Sequence, residues 1–393
     1  MKVAVIGGGA AGFFAAISAA THHPSAHVVV FEKSDKLLAK VKVSGGGRCN
    51  VTHHCFSASG LSKHYPRGGR QLKKAFAAFD AEDTVAWFAA RGVPLKAEAD
   101  GRMFPTTDSS QTIIDCLLAE AHARGVEIRM RTPVRTLSRD LQVNDEPFDK
   151  VVVATGGSPK ASGFAWLETL GHSIEPPVPS LFTFNMPGDT IRTLMGASVP
   201  NAVVRIQGSK LQEQGPVLIT HWGMSGPAVL KLSAWGARQL AERGYAFAVQ
   251  ISWAGDTNAE AVGQVLAEAA ETGRLRKVAN GCPFEEVPKK IWLHLLEKAG
   301  MDPGQTWHTT TKKSRNKLLE LLVNDVHEVR GKTTFKEEFV TCGGVRLGEV
   351  DFATMGSRIV PGLHFAGEVL DIDGVTGGFN FQAAWTTGFL AGK

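Results

Sequence analysis

The 393-residue sequence is poor in the features that assign a chain quickly. Its five cysteines (Cys49, Cys55, Cys116, Cys282 and Cys342) are odd in number and scattered, and no two form a Cys-x-x-Cys pair. That leaves no locally written zinc site and no thioredoxin-type redox pair, and a reducing, cytoplasmic home is expected. No run approaches the ~20 apolar residues of a membrane span. No internal repeat is visible, and the 43 glycines gather in a few loops instead of low-complexity tracts. Around Ser225 the chain reads Gly-Met-Ser-Gly-Pro, with Pro227 where a hydrolase elbow needs glycine, so that acyl-transfer signature is missing. Charge of either sign is close to balanced, 43 basic against 38 acidic residues, a net +5.

What is present describes an ordinary globular protein, 43% hydrophobic and 21% charged, long enough for two or three domains. The net charge is not evenly spread. Residues 274–332 hold 12 Lys/Arg and 7 Asp/Glu, while the remaining chain balances at 31 against 31. Within that segment, Lys312-Lys313-Ser314-Arg315-Asn316-Lys317 reads either as a solvated helix end or as an RNA footprint, although no aromatic residues interleave the charge.

The opening stretch organises the rest. Val3–Ile6 is an apolar run, Gly7 to Gly12 is a G-x-G-x-x-G loop, a small-residue helix follows to Ala20, and His27–Phe31 is a second β-branched run ending at Glu32-Lys33. The signal-peptide reading of residues 1–20 conflicts with this spacing. Gly7 permits the tight turn, Gly9 lets a pyrophosphate approach the backbone beside Ala10 and Ala11, and Gly12 lets the helix press on the sheet. The helix N-terminus offers N–H groups to the pyrophosphate. Glu32, 25 residues after Gly7, suits a ribose 2′-hydroxyl and would repel a 2′-phosphate, so the ligand is FAD or NAD and not NADP.

Val43-Ser44-Gly45-Gly46-Gly47-Arg48-Cys49-Asn50 is expected to pack on the flavin or its pyrophosphate, with Arg48 supplying charge. Cys49 reads as a buried structural residue ahead of a reactive thiol. Residues 70–91 and 108–125 have helical spacing, and Val126 to Val134 alternates as a strand whose backbone near Val134 could read an adenine edge. Val151–Ala154 with Thr155-Gly156-Gly157 reads as a central parallel strand ending at a ligand-facing turn.

Pro176-Pro177-Val178-Pro179 marks a boundary or rigid linker. Beyond it, short β-like runs at 181–184, 202–207, 217–221 and 245–253 suggest a small barrel or sandwich. Ser225 reads as a helix start ahead of Pro227. His221 is a candidate proton donor. Residues 258–272 and 287–327 have helical period. From Phe335 the first domain returns, through Phe339–Val345 to Phe365-Ala-Gly367-Glu368 and the loop Asp373-Gly374-Val-Thr-Gly377-Gly378-Phe379-Asn380 that opens a final helix. Two glycine-bearing helix starts, one at each end of the chain, call for a ligand long enough to reach both. FAD is such a ligand, whereas a resident NAD would explain only the first loop.

In combination, Val5–Gly12, Ser44–Asn50, Thr220-His-Trp-Gly-Met-Ser-Gly-Pro227, Thr341-Cys-Gly-Gly-Val345 and Phe365–Asn380 resemble the BaiN-like bacterial FAD-dependent oxidoreductases along the whole chain. The resemblance implies an α/β fold with an α+β insert: a Rossmann-like FAD-binding domain of glutathione-reductase type, built from both chain ends, with an inserted β-barrel and a helical subdomain. The corresponding boundaries are 1–180 and 333–393 for the FAD domain, 181–256 for the barrel and 257–332 for the helices. One departure is Ser158–Gly163, which lacks the aromatic-proline stretch common in the family after the Thr155-Gly-Gly turn. The activities implied are reduction of an activated carbon–carbon double bond through flavin N5, oxidation of a small amine, and reduction of uridine in RNA. With a single nucleotide fingerprint, NAD(P)H is expected only as a transient donor. Arg48, Asn50 and His221 are the candidate catalytic residues, and a small molecule is the expected substrate.

Overall fold

The computed structural model describes residues 1–334 and 340–393, so Phe335 and Phe339, where the sequence places the return of the first domain, lie outside the described residues. The chain divides into two compact units, one formed by Met1–Ser180 with the described part of Phe335–Lys393, the other by Leu181–Thr334.

The first unit is built on a seven-stranded sheet. An inner strand, Lys2–Ile6, pairs in parallel with His27–Phe31 on one side and on the other with Lys150–Val153, the middle strand of the sheet. Glu127–Arg129 extends the first side and Leu363–Phe365 the second, both again parallel. Apolar strands of this kind need cover on both faces, and Val3, Ala4, Val5 and Val151–Val153 are fully buried. The N-terminal helix Ala10–His22 and the last helix Phe379–Gly392 lie backbone against backbone. A methyl group added at Gly388 would fall 2.6 Å from the Ala11 carbonyl oxygen, and one at Gly392 2.3 Å from that of Ala15. Two glycines one helical turn apart therefore set how closely the two chain ends meet.

Five local expectations are corrected in this unit and the next. The proline cluster does lie at a boundary, since the first segment of this unit ends at Ser180, but it is no linker: Ile174–Ser180 is a strand, antiparallel to Val340–Val345, with a register shift between Glu175 and Val178 that accommodates the prolines. The helix over 70–91 is two helices, Gly69–Phe76 and Ala81–Ala89. Asp80 splits them, because its carboxylate caps the N–H groups of Glu82 and Asp83. The strand over 126–134 is only Glu127–Arg129, since Arg131 turns the chain at φ +53°. Helical period over 287–327 gives way to two helices, Lys289–Lys298 and Lys312–Asn324, and then to a strand, Asp325–Arg330. There Asp325, His327 and Val329 are buried and their neighbours exposed, a period of two.

In the second unit the strands run in the order Asp325–Arg330, Ala246–Ser252, Ser198–Ile206, Gln212–Ile219, Gly223–Ser225, Thr183–Asn185, Lys332–Thr333. The first and last members are one stretch of chain interrupted only by Gly331, so the sheet closes on itself as a barrel. Ser225 belongs to a strand here. The helix Pro227–Trp235 starts instead from Gly226 at φ +97°, with Pro227 as its first residue. Helices after residue 257 share one apolar core with the barrel, in which Trp253, Val262, Leu266, Trp292 and Leu322 pack together.

A buried ion cluster crosses this core. His327 places Nδ1 2.7 Å from Asp189 and Nε2 2.9 Å from Asp325, so both ring nitrogens donate and the ring is an imidazolium. Asp325 also pairs with Lys298 and accepts from Trp253 Nε1 at 3.0 Å. Burial raises the Asp325 carboxyl, but His327 and Lys298 outweigh it and hold it down at about 2. Burial likewise lowers the His327 ring, and the two carboxylates outweigh that and raise it. The stability from His327 is thus present below its unfolded pKa of about 6.5 and fades as pH rises through the higher folded value. That from Asp325 is present above about 3.9 and fades as pH falls toward the folded value. Calorimetric unfolding between these limits should show a plateau that His327→Leu abolishes, with a loss of about 3–5 kcal/mol for an unbalanced buried carboxylate. A His327→Leu variant with an unchanged pH profile would contradict the assignment.

Candidate FAD and active site

The first strand ends in a turn that only glycine fits. Gly7 stands at φ +116°, and a side chain there would fall 2.4 Å from the Ala154 carbonyl oxygen. Gly12 faces back on the same turn, with room for no more than hydrogen, since a methyl would lie 1.9 Å from the Gly7 oxygen. Gly9 is different: nothing lies within 4 Å of the space a methyl would take. It caps the helix Ala10–His22 without any side-chain bond to the first-turn N–H groups. An open, uncapped helix start is an anion site.

Glu32 follows the second strand and is turned toward this loop. Its carboxylate accepts from Gly8 N at 2.9 Å and Ser34 N at 2.8 Å. Each oxygen keeps lone-pair capacity for a ribose hydroxyl. Lys33 points to solvent. The backbone N–H of Thr132 donates to the Glu32 carbonyl at 2.8 Å, which brings the half-buried Val134 segment past the same corner, outside any strand.

The second glycine run kinks the helix Ala39–Gly47 at Ser44, Gly45 and Gly46. Gly45, Gly46 and Gly47 all have positive φ, and Gly46 and Gly47 face open space. Cys49 is buried at φ +62°. Burial pushes its thiol up to about 12, so it is no nucleophile at neutral pH. Brief alkylation of the native protein at about pH 8 should leave Cys49 unmodified by mass spectrometry; rapid labelling there would refute its buried setting. Arg48 lies over the Phe104 ring at 3.9 Å and donates to Glu98 at 2.6 Å, so its charge is met by protein acids.

Asn50 joins the two ends of the chain. With its amide oriented to satisfy both atoms, it accepts from Gly378 N and donates to the Thr52 carbonyl, each at 3.0 Å. Gly378, at φ +92°, is the cap of the last helix. Ala11 of the first helix meets the turn at Gly367, where a methyl would fall 2.8 Å from the Ala11 Cβ. The first helix start thus touches the turn at Gly367, and the second glycine run touches Gly378, all within one unit.

Other expected residues are spent on holding this arrangement. Glu368 pairs with Lys40 at 2.7 Å and accepts from Thr341 N at 2.8 Å. Asp373 is fully buried, bound by Arg67 and by Ser180 Oγ at 2.6 Å. Asn380 closes the loop by bonding both the N–H and the carbonyl of Gly374. Gly377 is held by His53, whose Nδ1 lies 3.1 Å from its carbonyl. Phe379 stacks on His53 and His64, at 4.6 and 4.2 Å. Thr155 is exposed, Gly156 is open at φ +72°, and Gly157 lies tight against Thr341 and Glu368. His53, His64 and Arg67 have no local signature in the sequence; their contacts with Gly377, Phe379 and Asp373 each span more than 300 residues. His221 lies in the other unit, exposed on the turn before Gly223–Ser225, its ring 4.5 Å from that of Trp222.

FAD fits what is present. Gly9, Gly46, Gly47 and Gly156 offer side-chain-free openings, Glu32 offers acceptors, and the helix starts at Gly9 and Gly378 stand in the same unit. No described helix is long and apolar enough to cross a membrane. Fold and site together define a Rossmann-type FAD-dependent oxidoreductase. More narrowly, the chain belongs to the family described as the HI0933-like protein Rossmann domain, whose model it matches over residues 1–393. It is 29% identical to the 3-dehydro-bile acid delta(4,6)-reductase of Clostridium scindens, over 100% of this chain and 98% of that protein. It is 28% identical to the ribosomal RNA dihydrouridine synthase of Escherichia coli, over 99% and 96%. Among solved structures, 3-ketosteroid delta1-dehydrogenase from Sterolibacterium denitrificans aligns at TM-score 0.49 and 14% identity, over 99% of this chain and 98% of that one.

Proposed function

We propose that the protein reduces a carbon–carbon double bond conjugated to a carbonyl, with electrons drawn from NAD(P)H. The observation that carries this is that two glycine-headed helix starts, from opposite chain ends, stand in one unit with Glu32. When bound, FAD supplies hydride delivery to the alkene carbon. The chain's own residues bind and orient. Glu32 would hold the ribose hydroxyls, the first-turn N–H groups after Gly9 would hold the pyrophosphate, and the helix start after Gly378 would favour a negatively charged part of the cofactor. Asn50 keeps the second helix start in place, and Arg48 keeps the glycine run against Phe104.

Two relatives support the reaction class by their names. A delta(4,6)-reductase of a 3-dehydro steroid and a dihydrouridine synthase both saturate a double bond conjugated to a carbonyl. A second reading, in which that bond is C5=C6 of uridine in RNA, is favoured by the basic surplus confined to 274–332.

Anaerobic mixing of the yellow protein with NADH or NADPH should bleach the flavin, and a conjugated enone should restore its colour with formation of the saturated ketone. Bleaching by a small amine but by neither nicotinamide would replace the reductase with an oxidase.

A further inference from the structure

Cations that are far apart in the sequence come together in the second unit. The stretch after the helix Ala259–Thr272 runs beside the one that precedes the helix Lys312–Asn324. Val278 N donates to the Gln305 carbonyl at 2.9 Å, Trp307 N to that of Arg276 at 3.2 Å, and His308 N to that of Arg274 at 3.1 Å. Arg274, His308 and Arg315 thereby line one groove of about 340 Å³, floored by the buried Trp307. Glu271 is the one acid among the groove's lining residues.

The groups are poised for an anion. Arg315 Nη1 donates to Thr310 Oγ1 at 3.1 Å, which fixes the guanidinium and leaves other N–H donors of its fork free. His308 uses Nδ1 on Thr306 and on the Arg274 carbonyl, so Nε2 remains for a ligand. Thr311 caps the helix Lys312–Asn324 through Ser314 N alone, at 3.1 Å. That leaves the N–H groups of Lys312 and Lys313 unmet by the cap, and both lysines are exposed. Arg274, Lys312 and Lys313 enter no ion pair with a described carboxylate. Between Arg274 and Arg276, Leu275 is 81% exposed. One exposed leucine is too little apolar surface for an amphipathic membrane face, whereas the Arg guanidinium planes beside it can stack on an unstacked base.

We propose that this groove and the helix start beside it bind successive phosphates of an RNA backbone. Arg274 and Arg315 take one phosphate in the groove, and Lys312 and Lys313 take the next at the helix start. The inference rests on the RNA reading above, and it names the surface that would hold the strand independently of the flavin chemistry.

The test is fluorescence anisotropy of the FAD-loaded protein with a labelled RNA hairpin bearing a uridine-rich loop, titrated across a salt series. Arg274→Gln/Arg315→Gln and Lys312→Gln/Lys313→Gln should each flatten the slope of log K against log salt by about 0.7–0.9, as one phosphate contact is lost in each. Flavin content and unfolding temperature report that the variants are folded. Wild-type slopes in both folded variants would overturn the proposal. So would displacement of the RNA by anionic phospholipid vesicles through the same residues, which would make the surface a membrane contact. Reduction of a free enone is measured separately; if it persists while RNA binding fails, the surface falls and the reaction stands.

Discussion

Gly9→Ala is expected to fold as the wild type does and to bind FAD roughly 10- to 100-fold more weakly, the effect of about 1–3 kcal/mol of overpacking. The argument is local. Gly9 has φ −93° and ψ −170°, a conformation open to alanine, and its added methyl meets nothing of the protein within 4 Å. That methyl enters the space through which a pyrophosphate reaches the first-turn N–H groups. Gly12→Ala is the contrasting case: its methyl would lie 1.9 Å from the Gly7 oxygen, so stability and FAD binding fall together. Titration of apoprotein with FAD, alongside calorimetric unfolding, separates the two. Wild-type affinity in Gly9→Ala would mean that the nucleotide does not pass over this turn.

Arg67→Ala has the second large effect, on stability. Asp373 is fully buried, and burial pushes its carboxyl up even with Arg67 and Ser180 holding it back. Without Arg67 the carboxylate is left without its cation, a loss of about 3–5 kcal/mol. The variant escapes part of that cost by protonating Asp373, whose folded pKa then climbs further above its unfolded value. Stability is therefore best retained at low pH and is lost as pH rises through that elevated folded pKa. Adding Asp373→Asn should recover much of the deficit. Denaturant unfolding of the single and double variants at two pH values checks this; an equal deficit in both would place the energy elsewhere.

Sequence made some of this site legible and concealed the rest for physical reasons. Glycine is readable because a turn at φ +116°, or a methyl 1.9 Å from a carbonyl, admits no other residue. The apolar strands beside Gly7 and Thr155 are readable for the same kind of reason, since burial on both faces leaves little choice of residue. Side chains that act through remote partners are not. Nothing near Asn50 announces Gly378, and nothing near Asp373 announces Arg67, because those contacts exist only once the chain ends have met. Arg48 and Asn50 read as ligand contacts by type, yet their polar groups face Glu98, Thr52 and Gly378. The proline strand misled for a different reason: proline lacks a donor, but a register shift at a short two-stranded pairing tolerates it. At Asp325–Arg330, a two-residue alternation was masked by the helical run immediately before it.

Hydrogen–deuterium exchange of the apoprotein with and without FAD tests most directly whether both chain ends hold one nucleotide. Protection on binding is expected in two separate peptides, one spanning Gly7–Phe13 and one spanning Gly374–Gln382, saturating at the same FAD concentration. Protection of the first alone, with the second unchanged at saturation, would contradict the account.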